Sequence, residues 1–192
     1  MSAADPLRAD GQPIGEIFLT RDEIASRVRE LGTEITAYCD GRDPVLVAPL
    51  KSSAVFLVDL SRTLGVHHEI DVVELASYSG RRGGGAVRLL KDLDAPIEGR
   101  DVILVEDIVD TGLTLGYLVR TLLLRRPASL AAVTLLDRPH RRLVEDVPLE
   151  WIGFTVPDEL FAGYGLGLEE RWRALPDLHV VIAAELPAAI TV

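Results

Sequence analysis

A chain of 192 residues is long enough to bury a core of its own and fits one domain. Its formal net charge of −10 at pH 7 argues against a nucleic-acid-binding scaffold, which normally presents a basic face. No apolar run approaches the length of a membrane span. Cys39 is the single cysteine, which excludes an internal disulfide and a cysteine-based metal cluster and favours a cytoplasmic protein.

Helix and strand signals alternate along the first part of the chain. Met1 to Pro13 is polar and has no apolar signal core, so we expect residues 1–16 to form a flexible N-terminal arm. Thr20 and Glu23 have the spacing of a capping box, which marks the start of a helix. The predicted elements are a helix over residues 21–39, a strand over 45–50, a helix over 53–64 and a strand over 67–76.

A glycine-rich segment, Ser77 to Gly85, then interrupts the pattern. Two hypotheses are open for it: a long hairpin loop with no role, or a lid that closes over a ligand with Tyr78 or the loop arginines contributing. We expect a mobile loop over about residues 77–86, with Ala86 to Leu90 as the returning strand.

The stretch from Val102 to Thr114 carries the strongest functional signal. Its apolar start predicts a strand buried on both faces, as in a parallel sheet, and a helix is predicted over residues 115–124. The acids between them would lie at the carboxyl end of a central strand, where open α/β sheets bind ligands. The Thr-Gly turn would lie at a helix N-terminus, which favours a phosphate. The alternative is that the acids are solvated residues or helix caps around an ordinary tight turn.

The remainder of the chain adds strands and polar loops. A charged loop, Asp137 to Arg142, follows one strand on the same side as the acids, and a glycine-rich loop covers residues 157–173. The strands are predicted over residues 131–136, 149–156 and 178–183. We therefore predict an α/β fold with a mostly parallel central sheet flanked by helices.

The stretch Val105 to Thr114 resembles the phosphoribosyl-diphosphate (PRPP) binding signature of the type I phosphoribosyltransferases. Further segments resemble the hypoxanthine-guanine branch of that family and follow in the family's order. These segments are Leu50-Lys51, Ser77-Tyr78, Leu89 to Asp94, Leu135 to Pro139, Gly153 to Asp158, Gly163 to Leu166 and Arg173 to Pro176. The resemblance implies the type I phosphoribosyltransferase fold in a single domain over residues 17–192, with a small hood built from the N-terminal segment and residues 150–183.

The resemblance implies a purine salvage enzyme, a pentosyltransferase that moves 5-phosphoribose from PRPP to hypoxanthine or guanine, giving IMP or GMP and pyrophosphate. It implies Mg²⁺ as cofactor, at Glu106 and Asp107 directly or through water, and Asp110 as general base toward purine N7. The implied PRPP contacts are Lys51, Ser52, Glu106, Asp107, Asp110, Thr111, Gly112, Leu113, Thr114 and Arg173. The implied base contacts are Ile108, Arg138, Leu160 and Phe161, and the implied mobile-loop residues are Ser77 and Tyr78.

Some positions depart from the family pattern. Arg138 stands where lysine is usual, Leu160 where an aromatic stacks on the base, Gly167 where an aspartate lies near the second metal, and Ser52-Ser53 where glycine is more usual. Arginine keeps a donor with a different shape, and leucine offers no π-face, although the ring of Phe161 could take the stacking role. We expect an intact ribose-phosphate half of the site and an altered base and pyrophosphate half.

Two alternatives remain open at this stage. One is a phosphoribosyltransferase with a shifted base preference, for xanthine or another base. The other is a PRPP-sensing regulator without catalysis, a class that needs an added DNA-binding domain or a basic face, which this acidic chain lacks. The expected partners are PRPP and a purine base, without nucleic acid or membrane, and family analogy favours a homodimer or homotetramer.

Overall fold

The computed structural model describes residues 14–79, 85–168 and 170–182. The helices are α1 (Arg21–Tyr38), α2 (Ala54–Thr63) and α3 (Leu113–Leu123), and a 3₁₀ turn covers Pro139–Arg141. The strands are β1 (Ile14–Leu19), β2 (Val45–Leu50), β3 (Glu69–Ser79), β4 (Gly85–Lys91), β5 (Asp101–Val109), β6 (Ser129–Asp137), β7 (Leu149–Thr155), β8 (Phe161–Ala162) and β9 (Leu178–Val181).

Six of the described strands form the central sheet, in the order β4-β3-β2-β5-β6-β7. β2, β3, β5, β6 and β7 run parallel, and β4 pairs antiparallel with β3 at one edge. The carboxyl ends of the parallel strands therefore meet at one edge, where the loops after them can build a common site. The predicted α/β fold with a mostly parallel sheet is confirmed.

β5 is buried on both faces, as its apolar run predicts. Ile103 and Val105 pack in the core that includes α1 and α2, whereas Val102 and Leu104 pack in the core that includes α3. This alternation follows from the two-residue period of a strand. Helices thus cover both faces of the sheet, and the central strand is shielded from water along its length.

Two helix predictions are confirmed in detail. The side chain of Thr20 accepts from the Glu23 amide while the Glu23 carboxylate accepts from the Thr20 amide, so the capping box begins α1. In α3, the buried stripe contains Leu115, Leu118 and Leu122, with the spacing of an amphipathic helix.

A second sheet lies outside the central one and has the order β1-β9-β8 with antiparallel pairing. It corrects the prediction of a flexible arm up to residue 16, because Ile14 pairs with Val181 and is only 6% exposed. Residues 1–13 lie outside the described residues. Phe18 of β1 packs against Phe161 of β8 with ring centroids 4.8 Å apart, so the second sheet has an apolar centre.

Part of the segment predicted as a mobile loop over about residues 77–86 forms strand in the described residues. The backbones of Ser77 and Tyr78 belong to β3 and pair with Val87 and Ala86 of β4, because the hairpin ladder continues beyond the apolar residues. Residues 80–84 lie outside the described residues. Among residues 14–79, 85–168 and 170–182, no helix has both the length and the apolar character needed to cross a bilayer.

The packing of α3 on the sheet predicts a large stability effect at one position. Leu118 is completely buried, so Leu118→Ala should lower the free energy of unfolding by about 2–5 kcal/mol, through lost apolar burial and a residual cavity. Leu124→Ala is the matched control, because Leu124 at the end of the same helix is 84% exposed and should change stability by less than about 0.5 kcal/mol. Urea unfolding of both variants measures the difference, and equal effects would contradict this packing.

Candidate active site

A cavity of about 430 Å³ opens at the carboxyl ends of β2 and β5. Its walls come from the last residues of these strands, from β3 and from the turn that leads into α3. The lining residues are Pro49, Leu50, Ser52, Leu75, Glu106, Asp107, Ile108, Val109, Asp110, Thr111, Gly112, Thr114 and Leu115. Most of them come from the stretch that the sequence singled out, so the acids and the Thr-Gly turn share one cavity.

The floor of the cavity holds two acids that have little contact with water. Glu106 is 4% exposed and Asp107 is 6% exposed. The Ser53 hydroxyl lies 2.9 Å from Asp107 Oδ1 and 3.5 Å from Glu106 Oε2. Glu106 Oε1 is buried and finds no hydrogen-bond partner among the described residues. A buried carboxylate oxygen without a partner is costly, so this oxygen is available to a cation or a hydroxyl donor.

Burial changes the acidity of both groups. It raises the pKa of Glu106 well above its ordinary value, and the negative charge of Asp107 adds to the effect. Burial also raises the pKa of Asp107, whereas the hydroxyls of Ser53 and Ser52 lower it. Desolvation disfavours the charged form of each acid, so a bound cation would stabilise the ionised pair more than water does here.

The turn from Asp110 to Thr114 brings the first amides of α3 to the cavity, where the Leu113 amide donates to the Thr111 hydroxyl at 3.3 Å. Gly112 is the N-cap residue with a φ of 77°, and it has no side chain to cover these amides. A Cβ at Gly112 would lie 2.8 Å from the Val144 carbonyl oxygen, so both the backbone conformation and the space require glycine. Behind the turn, the Thr111 carbonyl accepts from the amides of Leu143 and Val144 at 2.9 and 3.1 Å.

Asp110 faces two guanidinium groups. Its Oδ2 lies 3.4 Å from Nη1 of Arg138 and 3.9 Å from Nη1 of Arg141. Arg138 is 3% exposed and also donates to the Glu159 carbonyl, while Arg141 pairs with Asp158 at 2.6 Å. Asp110 Oδ1 is buried and has no hydrogen-bond partner within the described part of the chain. One oxygen of Asp110 is therefore held by cations, and the other is left for a proton of a ligand.

Lys51 and Arg173 are brought together by an acid between them. Lys51 Nζ lies 2.6 Å from Glu170 Oε2, and Arg173 Nη2 lies 3.2 Å from Glu170 Oε1. These two ion pairs lower the pKa of Glu170, with the Lys51 hydrogen bond as the largest cause. Arg173 also fills the space beside Gly167, because a Cβ there would lie 2.6 Å from the guanidinium carbon.

Comparison with known proteins connects this geometry to a family. The family model described as phosphoribosyl transferase domain matches residues 16–162, which include the cavity floor and the turn into α3. The chain belongs to the phosphoribosyl transferase family.

Individual members of the phosphoribosyl transferase family agree with that placement. The chain is 48% identical over 170 residues to the hypoxanthine phosphoribosyltransferase of Escherichia coli K12. The match covers 87% of this chain and 95% of the Escherichia coli protein. The chain is 41% identical over 169 residues to the bifunctional protein TilS/HprT of Listeria monocytogenes. This match covers 88% of the chain but only 26% of the longer Listeria protein. A crystal structure of a Bacillus anthracis hypoxanthine-guanine phosphoribosyltransferase superposes with a TM-score of 0.83 at 39% identity, covering 88% of this chain and 99% of that one.

The structure brings some of the sequence-predicted residues of this phosphoribosyl transferase site together and not others. Of the predicted PRPP contacts, Ser52, Glu106, Asp107, Asp110, Thr111, Gly112 and Thr114 line the cavity. Lys51, Leu113 and Arg173 are not among its lining residues. Of the predicted base contacts, Ile108 lines the cavity, whereas Arg138, Leu160 and Phe161 do not. Phe161 is 7% exposed and packs in the core, so its ring is not offered for stacking on a base.

Sequence reasoning missed two contacts in this family member. Ser53, the hydrogen-bond partner of Asp107, follows β2 at the same sheet edge. A small polar residue at a strand's carboxyl end marks it as a possible site residue, but its partner depends on β2 lying beside β5. Glu170, the partner of Lys51 and Arg173, lies in a charged loop with no periodic signal.

The raised pKa of Glu106 predicts a pH-dependent stability change. In the unfolded chain this carboxyl titrates near its ordinary value of 4.5, whereas burial holds it protonated to higher pH in the folded protein. Ionisation of Glu106 therefore lowers the free energy of unfolding increasingly as pH rises above about 4.5. Glu106→Gln removes the charge, so we expect a melting temperature about 2–4 °C above wild type at pH 8 and a smaller gain at pH 5.

Differential scanning calorimetry across pH 5–8 measures this change. Glu150→Gln is the control, because Glu150 is exposed on β7 and its replacement should leave the pH profile of the melting temperature unaltered. A gain for Glu106→Gln that is independent of pH, or a loss, would contradict the proposed burial of an ionisable group.

Proposed function

We propose that this protein transfers the 5-phosphoribosyl group of PRPP to a ring nitrogen of hypoxanthine or guanine, with IMP or GMP and pyrophosphate as products. The observation that carries the proposal is one cavity that joins two buried acids to the open helix N-terminus after Gly112. A phosphate fits the helix N-terminus, and the acids lie where a cationic ribose would need negative charge. The names of the relatives, which are hypoxanthine and hypoxanthine-guanine phosphoribosyltransferases, support this substrate pair.

The 5-phosphate of PRPP would occupy the turn from Asp110 to Thr114. The first amides of α3 would donate to its oxygens, and the hydroxyls of Thr111 and Thr114 would add hydrogen bonds. The Leu113 amide, which donates to the Thr111 hydroxyl in this structure, would exchange that hydrogen bond for one to the phosphate. Glu106 and Asp107 would then face the ribose hydroxyls. When the bond to pyrophosphate weakens, positive charge grows on the ribose C1, and both carboxylates stabilise it by Coulomb attraction in a site with little water.

The acid pair also fits the Mg²⁺ that the family resemblance implies. Glu106 and Asp107 supply hard oxygen ligands, and Glu106 Oε1 has no other partner among the described residues. Within the same described ranges, no group of three or more His, Cys, Asp or Glu residues has the arrangement of a metal site. Magnesium often binds through one or two carboxylates and substrate phosphates, so two acids are sufficient. When bound, Mg²⁺ would neutralise charge on the leaving pyrophosphate.

Asp110 would act as the general base toward N7 of the purine. Its Oδ1 is free to accept the proton, while Arg138 and Arg141 hold Oδ2. The base itself would lie near Ile108 on the cavity wall and Leu160 beyond it, with the backbone of Phe161 at its edge. Arg138 would donate to the six-position oxygen of the base once it exchanges part of its contact with Asp110.

The arrangement of Arg138 also favours a second candidate, a transferase with a shifted base preference. Arg138 is buried and already engaged by Asp110 and the Glu159 carbonyl, so its donors are less free than those of an unpaired side chain. Leu160 offers apolar contact to the base without a π-face. Xanthine is the alternative substrate that these contacts leave open.

The pyrophosphate of PRPP would bind beside the turn after β2. Lys51 and Arg173 would provide positive charge and Ser52 a hydroxyl, and the proposed mobile-loop residues Ser77 and Tyr78 would close over this side. The carboxylate of Glu170 lies between the two cations, where an anion of the substrate would bind. Cytoplasmic location and a homodimer or homotetramer complete the proposal, by analogy with the family.

Pyrophosphate release in the presence of PRPP, Mg²⁺ and one base at a time tests the function. We expect turnover with hypoxanthine or guanine at least about 10²-fold above adenine, because Arg138 can donate to a six-position oxygen and not to an amino group. Asp110→Asn should lose about 10²-fold or more in kcat and keep PRPP binding, because it removes the base and not the phosphate turn. Preference for xanthine would establish the second candidate, and PRPP binding without turnover on any base would refute the enzyme.

The position of Glu170 predicts an effect on PRPP affinity. Glu170→Gln should lower KM for PRPP by about two- to fivefold, because pyrophosphate no longer competes with a carboxylate for Lys51 and Arg173. Glu30→Gln removes the same charge from the surface of α1, where Glu30 pairs with Arg27, and controls for the change in net charge. Initial rates at varied PRPP measure both variants, and a higher KM for Glu170→Gln would show that Glu170 assists binding.

A further inference from the structure

Ser53 is a fully buried polar residue between two elements of the site. It is the last residue before α2, in the turn that follows β2, and its exposed fraction is 0%. β2 and β5 are parallel neighbours in the central sheet, so this turn lies beside the acids at the end of β5. A hydroxyl placed there is shielded from water and can satisfy its hydrogen bonds only with the protein or a ligand.

The hydroxyl of Ser53 makes a reciprocal pair of contacts with one acid. It accepts from the backbone amide of Asp107 at 3.2 Å and donates to Asp107 Oδ1 at 2.9 Å. Glu106 Oε2 is 3.5 Å away, which is longer than a normal hydrogen bond between oxygens. Since a serine hydroxyl has one proton, its donation goes to the nearer oxygen, and Asp107 is held at both its backbone and its side chain.

We propose that Ser53 is a positioning residue that fixes the Asp107 carboxylate for the ribose and cation side of the substrate. The role rests on the proposed function. A free aspartate side chain has several rotamers, and holding one of them before PRPP arrives removes an ordering cost from binding. In addition, Ser53 ties the turn after β2, which carries Lys51 and Ser52, to the floor of the cavity.

The neighbouring charges give this contact a defined consequence. Asp107 and Glu106 lie side by side with little water, and the Ser53 hydroxyl donates to Asp107 Oδ1 at 2.9 Å. The Ser52 hydroxyl and the amides of Asp107 and Ile108 also donate to the Asp107 carboxylate, but among these donors only Ser53 also accepts from the Asp107 amide. Without the Ser53 hydroxyl, the Asp107 carboxylate keeps fewer donors and is freer to turn away from Glu106, which would separate the two oxygens that a ribose diol or a cation needs. The turn from Asp110 to Thr114 makes no contact with Ser53 among the described hydrogen bonds, so phosphate binding there should not depend on it.

Calorimetric titration of Ser53→Ala with PRPP in the presence of Mg²⁺ tests the role without measuring turnover. We expect a Kd for PRPP at least about tenfold above wild type, a higher Mg²⁺ concentration for half-maximal binding, and an unchanged Kd for inorganic phosphate. Ser53→Cys keeps a side chain of similar size with a weak donor and should show the same selective loss, which guards against misfolding of the alanine variant.

Ser129→Ala is the matched control, because Ser129 donates to Asp101 at the opposite end of β5, far from the cavity. It should leave the Kd for PRPP within about twofold of wild type even if the melting temperature falls. PRPP binding by Ser53→Ala and Ser53→Cys within about twofold of wild type, or equal weakening of PRPP and phosphate, would overturn the positioning role. Failure of the wild-type protein to bind PRPP would overturn the proposed function and this role together.

Discussion

The burial of two adjacent carboxylates at the end of β5 is the constraint on which the surrounding structure depends. Carboxylates are stable in such a place only when donors or cations compensate for the lost water. Ser53 compensates Asp107, while Glu106 keeps one buried oxygen without a partner among the described residues. The negative charge of these acids is therefore only partly compensated by the protein, and a ligand would supply the rest. This arrangement is expected where positive charge develops during a reaction.

The central sheet makes this arrangement possible because its strands are parallel. Helices cover both faces, so β5 can be apolar along its length and still end in acids at a protected edge. The turns after β2, β5 and β6 meet at this edge and contribute Ser53, Gly112 and Arg138. Each turn supplies a different chemical group, and the rigid strands set the distances between those groups.

Much of this organisation could be predicted from sequence where the signal is local. The apolar run into Glu106 and Asp107 predicted a buried strand with acids at its end, and the following turn predicted a helix N-terminus. The contact of Ser53 could not be predicted in the same way, because it requires knowing that β2 lies beside β5. Local patterns encode strands and turns, whereas strand order depends on how the whole sheet packs.

Other differences have similarly specific causes. Ile14 belongs to a strand because it pairs with Val181, far along the chain. Its neighbours in sequence are polar, so no local pattern predicts a strand there. Ser77 and Tyr78 are held by the ladder with β4 despite their polar character. The contact of Glu170 with two cations depends on a left-handed backbone at φ 64°, which is uncommon for glutamate and has no signal in a charged loop.

The segment from Arg138 to Val144 contacts both the beginning and the middle of the turn from Asp110 to Thr114. Its first residue approaches Asp110, and its last residues support the Thr111 carbonyl and the tight space beside Gly112. An insertion or deletion in this segment would displace its contacts with Asp110 and with Thr111, so the length of the segment is constrained by the turn from Asp110 to Thr114. Under the proposed function, base selectivity in such a scaffold would change through single side-chain replacements, such as one at position 138, on a backbone of fixed length.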